Sequence, residues 1–456
     1  MREITRRRLV TGAAAATAAF QIVPRRAVAG SGVQAPSDTV VLAGIGVGGV
    51  GAAYLRGVQS QNIAFLCDVD DDYAVATYRK YPNARRYTDF RKMLEQEKSI
   101  DAVVIGTPDH SHTAIAVAAM KLGKHVYCAK PLTRTIAEAR AIARTAKQTG
   151  VATQMSVQSC HSEKACQTID WVQSGIIGNV REVHVWSDRP IWPQAVARPK
   201  DTPPVPSHLN WDLWLGPAPE RPYHPAYHPW IWRGWWDFGT GALGDMGCHT
   251  FHIIVEALKL GAPVSVSASS ADVVRGYRVV KDGERASAPK RVKFPETAPH
   301  AAIVTWNFAA RGNLPPVRLT WYDGGLKPPR PWDLDPGRQL GASGLLFLGE
   351  KGTILSGFSG GPELIPEAKN AQLAPPKAKT QRSTGHYEEW IAACKGGKPA
   401  FCEFGFGSAL TEITLLGNIA VRTGKHLEWD AQAARFTNEP DANQYIEEPY
   451  RAGWTL

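Results

Sequence analysis

The stretch TVVLAGIGVGGVGAAYLR at residues 39–56 determines the fold of the first part of this chain. Residues 39–45 form a short apolar run typical of a buried strand, and residues 52–56 have a helix-like composition. From Gly46 onward the glycines fit G-x-G-x-x-G, in the strand–turn–helix context in which this pattern binds a dinucleotide. Such glycines let the backbone approach a pyrophosphate at a helix N-terminus. A second register, two residues earlier, also fits, but the later one leaves a complete strand before the turn.

An acidic residue follows the next predicted strand. The apolar run at residues 62–67 ends at Asp68, 22 positions after Gly46. A carboxylate there accepts hydrogen bonds from the ribose hydroxyls of adenosine, which favours NAD over NADP. The NAD-binding residues predicted for this segment are Gly46, Gly48, Gly49, Val50 and Asp68.

Strand and helix patterns alternate as far as residue 152. Further strands are predicted at residues 101–106 and 125–128, with a helix between them from about Thr113 to Leu122. This alternation predicts an α/β fold with a parallel, doubly wound Rossmann sheet over residues 31–152. Ligands bind beyond the C-terminal ends of such strands.

Beyond residue 152 the pattern changes to a period of two residues. Strands are predicted at residues 180–187, 264–271, 302–309 and 317–322, and helices at about 384–395 and 406–423. We assign residues 153–430 to a second, substrate-binding α/β domain. The remaining segment, 431–456, is predicted to pack on the body as a C-terminal tail.

The first 30 residues have the features of an export signal. Arginines at positions 6–8 precede a weakly apolar stretch at residues 11–23, and Ala27-Val28-Ala29 has the A-x-A form of a cleavage site. Paired arginines before such a stretch resemble a twin-arginine signal, which predicts a periplasmic protein without stable membrane insertion after export. The alternative is the disordered basic tail of a cytosolic protein.

Charge and cysteine content exclude several functional classes. The formal net charge is +10, but residues 1–30 contribute six arginines and one acid, so the rest carries +5. No basic stripe interleaved with aromatic residues is present, so nucleic-acid binding is not expected. The seven cysteines are odd in number, scattered and without C-x-x-C, which argues against a disulfide framework and a cysteine-based zinc site.

Four histidines raise the alternative of a metal site. His224, His228, His249 and His252 have spacings that can ligate zinc. The prolines at 225 and 229 argue against a helix at the first pair, which therefore lacks a preset geometry. We expect no metal.

Asp245 and His249 stand four positions apart after a glycine-rich segment. On a helix this spacing places both side chains on one face. With Lys130 they form a plausible acid–base set for removing a hydroxyl proton as a hydride leaves carbon. The alternative is an N-capping aspartate and a buried structural histidine. His252 and Glu256 continue the same face and are interpreted as supporting or packing groups.

Tryptophan is concentrated before this helix. Seven of the 15 tryptophans lie between residues 192 and 236. Flat aromatic faces stack on sugar C–H surfaces, and arginine can bind hydroxyls or a carboxylate. The candidate substrate-binding residues are Trp192, Trp232, Arg233, Trp235, Asp245 and His249. An aromatic core cluster or a subunit interface explains the tryptophans equally well.

These motifs together resemble the Gfo/Idh/MocA oxidoreductase family over nearly the whole chain after the signal. The resemblance rests on the glycine fingerprint, CDVD at 67–70, TPDHSH at 107–112, the lysine–proline turn at 130–131 and GTGALGDMGCH at 239–249. The run LLGNIAVRTG at 415–424 resembles the exported, twin-arginine-bearing subgroup.

The resemblance implies a second domain built on a large, mostly antiparallel open sheet, which often forms a dimer or tetramer. It implies a nicotinamide cofactor and a carbohydrate or cyclitol substrate. It also adds Thr107, Pro108, His110, His112, Lys130 and Gln158 to the cofactor-binding residues and makes Lys130, Asp245 and His249 catalytic. Two segments depart from the family pattern: Ala129 replaces a glutamate, and Ser156-Val157 replace Gly-Asn.

The sequence therefore predicts an exported NAD-dependent oxidoreductase acting on a sugar, glycoside or cyclitol hydroxyl. The alternative is an NAD-dependent glycoside hydrolase or lyase, in which tightly held NAD oxidises the sugar transiently and the hydride returns. A third possibility is a sugar- or NAD-binding protein without turnover, against which the intact Lys130, Asp245 and His249 argue.

Overall fold

The computed structural model describes residues 39–275, 290–372 and 374–456. The predicted signal segment, residues 1–30, and the first residues of the predicted Rossmann domain, 31–38, lie outside the described residues.

A six-stranded sheet forms the first half of the described chain. Its strands are β1 (Val41–Ile45), β2 (Asn62–Cys67), β3 (Arg85–Tyr87), β4 (Ala102–Ile105), β5 (His125–Cys128) and β6 (Thr153–Met155). They lie in the order β3-β2-β1-β4-β5-β6, and every neighbouring pair is parallel. The predicted doubly wound parallel sheet is confirmed, with its last strand just beyond residue 152. The strand order reverses between β1 and β4, where such sheets bind ligands.

Five helices connect these strands. They are α1 (Gly49–Gly57), α2 (Asp71–Lys80), α3 (Phe90–Gln96), α4 (Asp109–Lys121) and α5 (Ile136–Thr149). Thr135 and Glu138 form a capping box at the start of α5. The predicted start of α4 near Thr113 is wrong, because Pro108 caps the helix and the acidic Asp109 favours its positive end. Residues 109–112 are therefore helical.

The glycine turn closes where the later of the two registers predicts. Strand β1 ends at Ile45, and Gly46 has φ +71, a backbone conformation that L side chains rarely adopt. A Cβ on Gly51 would lie 1.9 Å from the carbonyl oxygen of Gly46. The tight contact between turn and helix therefore requires glycine at both positions.

The second sheet has nine strands and a separate two-stranded ribbon. The strands in chain order are β7 (Val180–Trp186), β8 (Ser265–Ser270), the ribbon β9 (Val273–Arg275) and β10 (Lys290–Val292), β11 (Ala302–Phe308), β12 (Val317–Tyr322), β13 (Gly344–Gly349), β14 (Thr353–Ser356), β15 (Pro362–Ile365), β16 (Leu427–Asp430) and β17 (Arg435–Phe436). The sheet order is β15-β14-β13-β7-β12-β11-β8-β16-β17, and only β7 and β12 pair in parallel. The implied large, mostly antiparallel sheet is confirmed.

Helices cover one face of this sheet and join it to the first. The remaining α-helices are α6 (Glu163–Gln173), α7 (Trp211–Leu215), α8 (Gly241–Leu258), α9 (His386–Cys394) and α10 (Phe404–Thr423). Of the described helices, α10 is long and apolar enough to span a bilayer, but most of its apolar stretch is buried inside the protein. It packs on α5 of the first sheet, on α8 and on β8. The indole of Trp306 in β11 donates to the carbonyl of Ile413 in α10, 3.0 Å away.

The C-terminal segment returns to the first sheet's helices. Tyr450 donates a hydrogen bond of 2.5 Å to Glu138 of α5, and Glu448 pairs with Arg134. The Trp454 ring packs against that of Phe90, with centroids 6.1 Å apart.

We predict that Gly51→Ala destabilises the protein by about 2 kcal/mol or more, because the new methyl group meets a backbone oxygen that cannot move alone. Urea unfolding would measure the change. Gly261→Ala is the matched control, since a Cβ there meets nothing within 4 Å. Equal unfolding midpoints for the two variants would contradict the proposed close contact.

Candidate active site

Lys130, Asp245 and His249 come together at the C-terminal edge of the parallel sheet. Lys130 follows β5, while Asp245 and His249 lie one turn apart on α8. The Lys130 ammonium donates to Asp245 Oδ1 at 2.8 Å and to the Asp245 carbonyl oxygen at 2.7 Å. This ion pair, which has little solvent contact, thus joins a residue of the first half of the chain to a residue of the second half.

The electrostatic environment fixes the charges of this group. Burial raises the pKa of Asp245, but Lys130 and Arg233 outweigh it, so the pKa is lowered and the carboxylate stays ionised. Burial and the nearby Lys130 charge lower the pKa of His249 to about 3. The imidazole is therefore neutral at physiological pH. Because no described residue hydrogen-bonds to its ring, it can accept a proton from a ligand.

Ser156 supports Lys130 at one of the positions that depart from the family pattern. Its hydroxyl accepts the Lys130 backbone N–H at 3.0 Å and lies 2.8 Å from the Tyr54 hydroxyl. Gln158 is exposed, and its amide donates to the Tyr127 hydroxyl at 3.3 Å. Ala129, where the family has glutamate, is buried.

Arg233 brings a second cation to Asp245. Its Nε lies 3.5 Å from Asp245 Oδ1. The guanidinium carbon lies 4.1 Å from the ring centroid of Trp230 and 4.3 Å from that of Trp232, a cation–π clamp that fixes the side chain. Trp230 is 45% exposed and lines the pocket beside them. Sequence reasoning did not select it, although it is adjacent to the Trp232–Arg233 pair.

Two predicted substrate residues, Trp192 and Trp235, are buried and do not line this pocket. Trp235 is buried, and its indole donates to the Ala226 carbonyl at 2.9 Å. It belongs to an aromatic core cluster, so the core alternative holds for Trp235 and its prediction as a substrate residue is corrected. Trp192 is also buried, with its indole bonded to Gln194 and its ring 5.9 Å from the Arg233 guanidinium.

Asp109 is a polar residue of this region that sequence reasoning missed. It is buried at the start of α4, and its carboxylate accepts a hydrogen bond from the Thr240 hydroxyl at 2.8 Å. Burial, together with the nearby Asp245 charge, raises its pKa to about 7 against the opposing effect of Thr240. The only sequence signal was its place in the run at 107–112.

A pocket lies over the glycine turn. Its walls include the predicted cofactor residues Gly46, Gly48, Val50, Asp68, Thr107 and Pro108. Gly49, which does not line it, begins α1 directly after Gly48. Asp68 Oδ2 accepts the backbone N–H groups of Val47 at 2.7 Å and Gly48 at 3.2 Å, so this carboxylate also holds the turn in shape. The pocket thus coincides with the strand-order reversal between β1 and β4.

His110 and His112 lie outside this pocket. The His110 ring nitrogens face the carbonyls of Trp214 at 2.9 Å and Phe238 at 3.3 Å. Those of His112 face the carbonyls of Pro131 at 3.0 Å and Thr107 at 2.8 Å. Both rings are buried, which leaves no nitrogen for a cofactor. Their prediction as cofactor-binding residues is therefore corrected to a role in holding loops together.

The opposite wall of the pocket comes from the second half of the chain and includes Trp214, His228, Trp230, Trp232 and Arg233. A carboxylate, Asp70, secures this wall. Its Oδ1 lies 2.9 Å from His208 Nδ1, and its Oδ2 lies 2.6 Å from His228 Nε2. The backbone N–H of Asp71 also donates to the His208 carbonyl at 3.1 Å. We call Asp70 and these two histidines the Asp70 latch.

Models of one protein family match most of the chain. A model described as oxidoreductase family, NAD-binding Rossmann fold, matches residues 40–157. A model described as oxidoreductase family, C-terminal alpha/beta domain, matches residues 171–274 and 343–456.

Curated relatives match a shorter part. Inositol 2-dehydrogenase of Salmonella typhimurium is 27% identical over 146 residues, which is 31% of this chain and 43% of that protein. A glycosyl hydrolase family 109 protein of Solibacter usitatus is 30% identical over 159 residues, 32% of this chain and 36% of that protein. The chain thus spans less than half the length of these relatives.

Solved structures share the fold. The WlbA dehydrogenase of Bordetella pertussis, in complex with NADH and UDP-GlcNAcA, superposes with a TM-score of 0.57 at 17% identity, covering 86% of this chain and 99% of that one. Levoglucosan dehydrogenase in complex with NADH and levoglucosan gives a TM-score of 0.54 at 17% identity, with coverages of 86% and 99%.

We predict that Asp70→Asn lowers stability by about 2 kcal/mol at neutral pH, because a buried carboxylate with charged or polar partners is lost. Burial raises the pKa of Asp70, but His228, the Tyr73 N–H and His208 lower it to about 2, below its ordinary value. A carboxyl group whose pKa is lower in the folded protein than in the unfolded chain stabilises the fold at pH values above its unfolded pKa. This stabilisation is lost as the pH falls through the pKa of the folded protein.

The stability difference between wild type and Asp70→Asn should therefore shrink from about pH 4 toward pH 2. Urea unfolding across this range measures it. Asp71→Asn is the neighbouring control, because Asp71 is exposed on the first turn of α2. A difference that is independent of pH would contradict the latch.

Proposed function

Because the chain belongs to the Gfo/Idh/MocA oxidoreductase family, we propose that it is an NAD-dependent oxidoreductase that acts on a hydroxyl group of a sugar, glycoside or cyclitol. The observation that carries the proposal is the convergence of Lys130, Asp245 and a neutral His249 at the edge of the parallel sheet that also carries the pocket over the glycine turn, with Arg233 contacting Asp245 and lining that pocket.

The residues around the glycine turn fit a dinucleotide. No described side chain caps the start of α1, so the N–H groups of Gly49 and Val50 remain available to a pyrophosphate, while that of Gly51 donates to the Gly48 carbonyl at 3.0 Å. A Cβ on Gly46 would lie 2.6 Å from the Thr107 side chain, so glycine is needed for the turn to pack this closely against Thr107. Asp68 at the end of β2 favours a ribose with free hydroxyls over the 2′-phosphate of NADP.

The chain's own residues supply the proton chemistry, and the nicotinamide ring, when bound, supplies the hydride acceptor. Oxidation of an alcohol produces a carbonyl, a hydride and one proton. His249 accepts that proton at a ring nitrogen. Lys130 and Arg233 stabilise the negative charge that develops on the substrate oxygen, and Asp245 fixes both cations through its Oδ1.

The substrate class follows from the groups that face the pocket. Trp230 and Trp232 offer aromatic faces beside the Arg233 guanidinium, a combination suited to a polyhydroxylated ring. Relatives that are dehydrogenases of inositol and of levoglucosan support such a substrate.

A glycoside hydrolase or lyase is the second candidate. Relatives that are glycosyl hydrolase family 109 proteins favour it, as does one that is an alpha-N-acetylgalactosaminidase. In this reaction the hydride returns to the sugar after elimination and addition of water, so the cofactor is regenerated at the site. The Asp70 latch would favour such a cycle, because it secures the second wall of the pocket.

We also propose that the protein is exported by the twin-arginine route and acts as a dimer or tetramer. The pattern of residues 1–30 supports export. The nine-stranded sheet, which helices cover on one face, supports assembly.

The two candidate reactions are separable by the fate of the cofactor. Protein purified without added cofactor would be denatured and assayed for released NAD(H), and native protein would be tested on aryl glycosides, free sugars and cyclitols. Stoichiometric NADH formed only with added NAD⁺ supports the dehydrogenase. Many turnovers without added NAD⁺ or net NADH support the hydrolase or lyase. Absence of bound or bindable NAD would exclude both.

We predict that His249→Gln lowers kcat by about a hundredfold or more, because glutamine preserves polarity but cannot accept the proton. The affinity for NAD, measured by fluorescence titration, should stay within about twofold, since His249 does not line the pocket over the glycine turn. His300→Gln is the control, because His300 is exposed. If His249→Gln kept the wild-type kcat, His249 would not be the group that accepts the proton.

A further inference from the structure

A buried group of polar side chains lies one turn beyond His249 on helix α8. Among the residues that the structure describes, Cys160, His252 and Glu256 bring one ligand atom each to within 4.8 Å of one another. His252 and Glu256 are one turn apart on α8, and Cys160 lies in the turn before α6. None of them takes part in the proposed acid–base chemistry.

The polar atoms of this group are incompletely paired. His252 is fully buried, and its Nδ1 has no hydrogen-bond partner, while its Nε2 lies 3.2 Å from the Ser159 hydroxyl. A buried, unpaired ring nitrogen carries a desolvation cost that is avoided when the atom binds a partner. This unpaired atom belongs to one of the three clustered donor residues, and the two observations together point to a missing ligand.

A second thiol lies at the same place. The Cys402 side chain, in the segment just before α10, lies beside the Cys160 thiol and raises its pKa, and both are buried. Glu256 Oε2 lies 2.8 Å from His161 Nε2, which orients the carboxylate. Three segments of the chain thus contribute two sulfurs, one imidazole and one carboxylate to a single buried cluster.

We propose that Cys160, His252, Glu256 and Cys402 bind one thiophilic divalent cation, with Zn²⁺ the best match. Thiolate and imidazole ligands select zinc over magnesium or calcium. Tetrahedral zinc holds its ligand atoms about 3.5 Å apart, so the donors of Cys160, His252 and Glu256, which lie within 4.8 Å of one another, need only small side-chain movements. Cys402, which lies beside Cys160, would supply the fourth ligand after a larger movement of its side chain. Each thiol that binds the metal releases its proton to solvent. His161 then holds the carboxylate from outside the ligand set.

The consequence is a clamp that joins the start of α6, the middle of α8 and the start of α10. Because α8 also carries Asp245 and His249, the metal would fix the position of this helix against the starts of α6 and α10. This role is structural, since every thiol and imidazole of the site is buried and leaves no open position for a substrate.

The first test is the metal content of full-length protein purified without a histidine tag and dialysed against metal-free buffer. We expect inductively coupled plasma mass spectrometry to detect about one zinc per chain. The second test replaces the metal: protein stripped under denaturing conditions and refolded with Co²⁺ should show thiolate-to-cobalt charge-transfer absorption in the near ultraviolet. Neither readout depends on catalysis or on NAD.

Variants locate the site. Cys160→Ser and His252→Gln should each lower the bound metal by about tenfold or more and lower the thermal midpoint. Cys394→Ala is the matched control, because Cys394 is a thiol on α9 outside the cluster, and it should retain the metal.

Three results would overturn the proposal. One is wild-type protein that holds no stoichiometric metal and gives no cobalt–thiolate absorption. Another is metal that persists in both ligand variants, which would place it elsewhere. The third is a disulfide between Cys160 and Cys402, detected by peptide mass mapping of the native protein.

Discussion

The ion pair of Lys130 and Asp245 is the contact on which the rest of the site depends. Both side chains have little solvent contact, so each charge needs the other to offset its loss of hydration. Lys130 is fixed by β5 and by Ser156, and Asp245 by α8, so the pair links the end of a strand of the first sheet to the helix that carries His249. Removing Asp245 leaves the little-exposed Lys130 charge without this carboxylate, which costs more than the net value of the pair, whereas removing Lys130 leaves Asp245 with Arg233 alone.

That pair also determines what chemistry the site can perform. Two cations, Lys130 and Arg233, share one carboxylate, while the third ionisable neighbour, His249, is held neutral by burial and by the Lys130 charge. A site with cations in place and a neutral base is preorganised for a substrate oxygen that gains negative charge as its proton leaves. Burial and the Lys130 charge keep His249 unprotonated between turnovers, and the same low pKa makes it a weaker base, so proton transfer to it depends on the substrate hydroxyl being made more acidic by the neighbouring cations.

Local patterns could be predicted from sequence, and long-range pairs could not. The glycine turn, β1 and β2 follow from contiguous residues with a recognisable period, and D-x-x-x-H is contained within one helix. The Asp70 latch joins residues that are 138 and 158 positions apart, and no local pattern encodes it. Strand β13 was missed because it is apolar on both faces and lacks the alternation used to find the others, and β14 and β15 were missed because each has only four residues. Trp230 and Trp235 look equivalent in sequence, and only packing separates the exposed ring from the core one.

Hydrogen bonds through Asp68 connect the Asp70 latch to the glycine turn. This connection affects how a bound cofactor would leave the pocket and be replaced. Asp68 holds the turn through Val47 and Gly48, and its Oδ1 accepts the N–H of Asp70 at 3.0 Å. Asp70 in turn holds His208 and His228, which flank the aromatic segment that forms the far wall of the pocket. Opening that wall would expose the Asp70 carboxylate, whose pKa its partners lower to about 2. The same movement would displace the glycine turn, which would hold a pyrophosphate, because Asp68 bonds to both Asp70 and the turn. A dinucleotide that left through this wall would break the Asp70 contacts with the buried His228 and the partly exposed His208. A reaction that returns its hydride within one catalytic cycle avoids that cost, which is the physical argument for considering internal cofactor recycling alongside simple dehydrogenation.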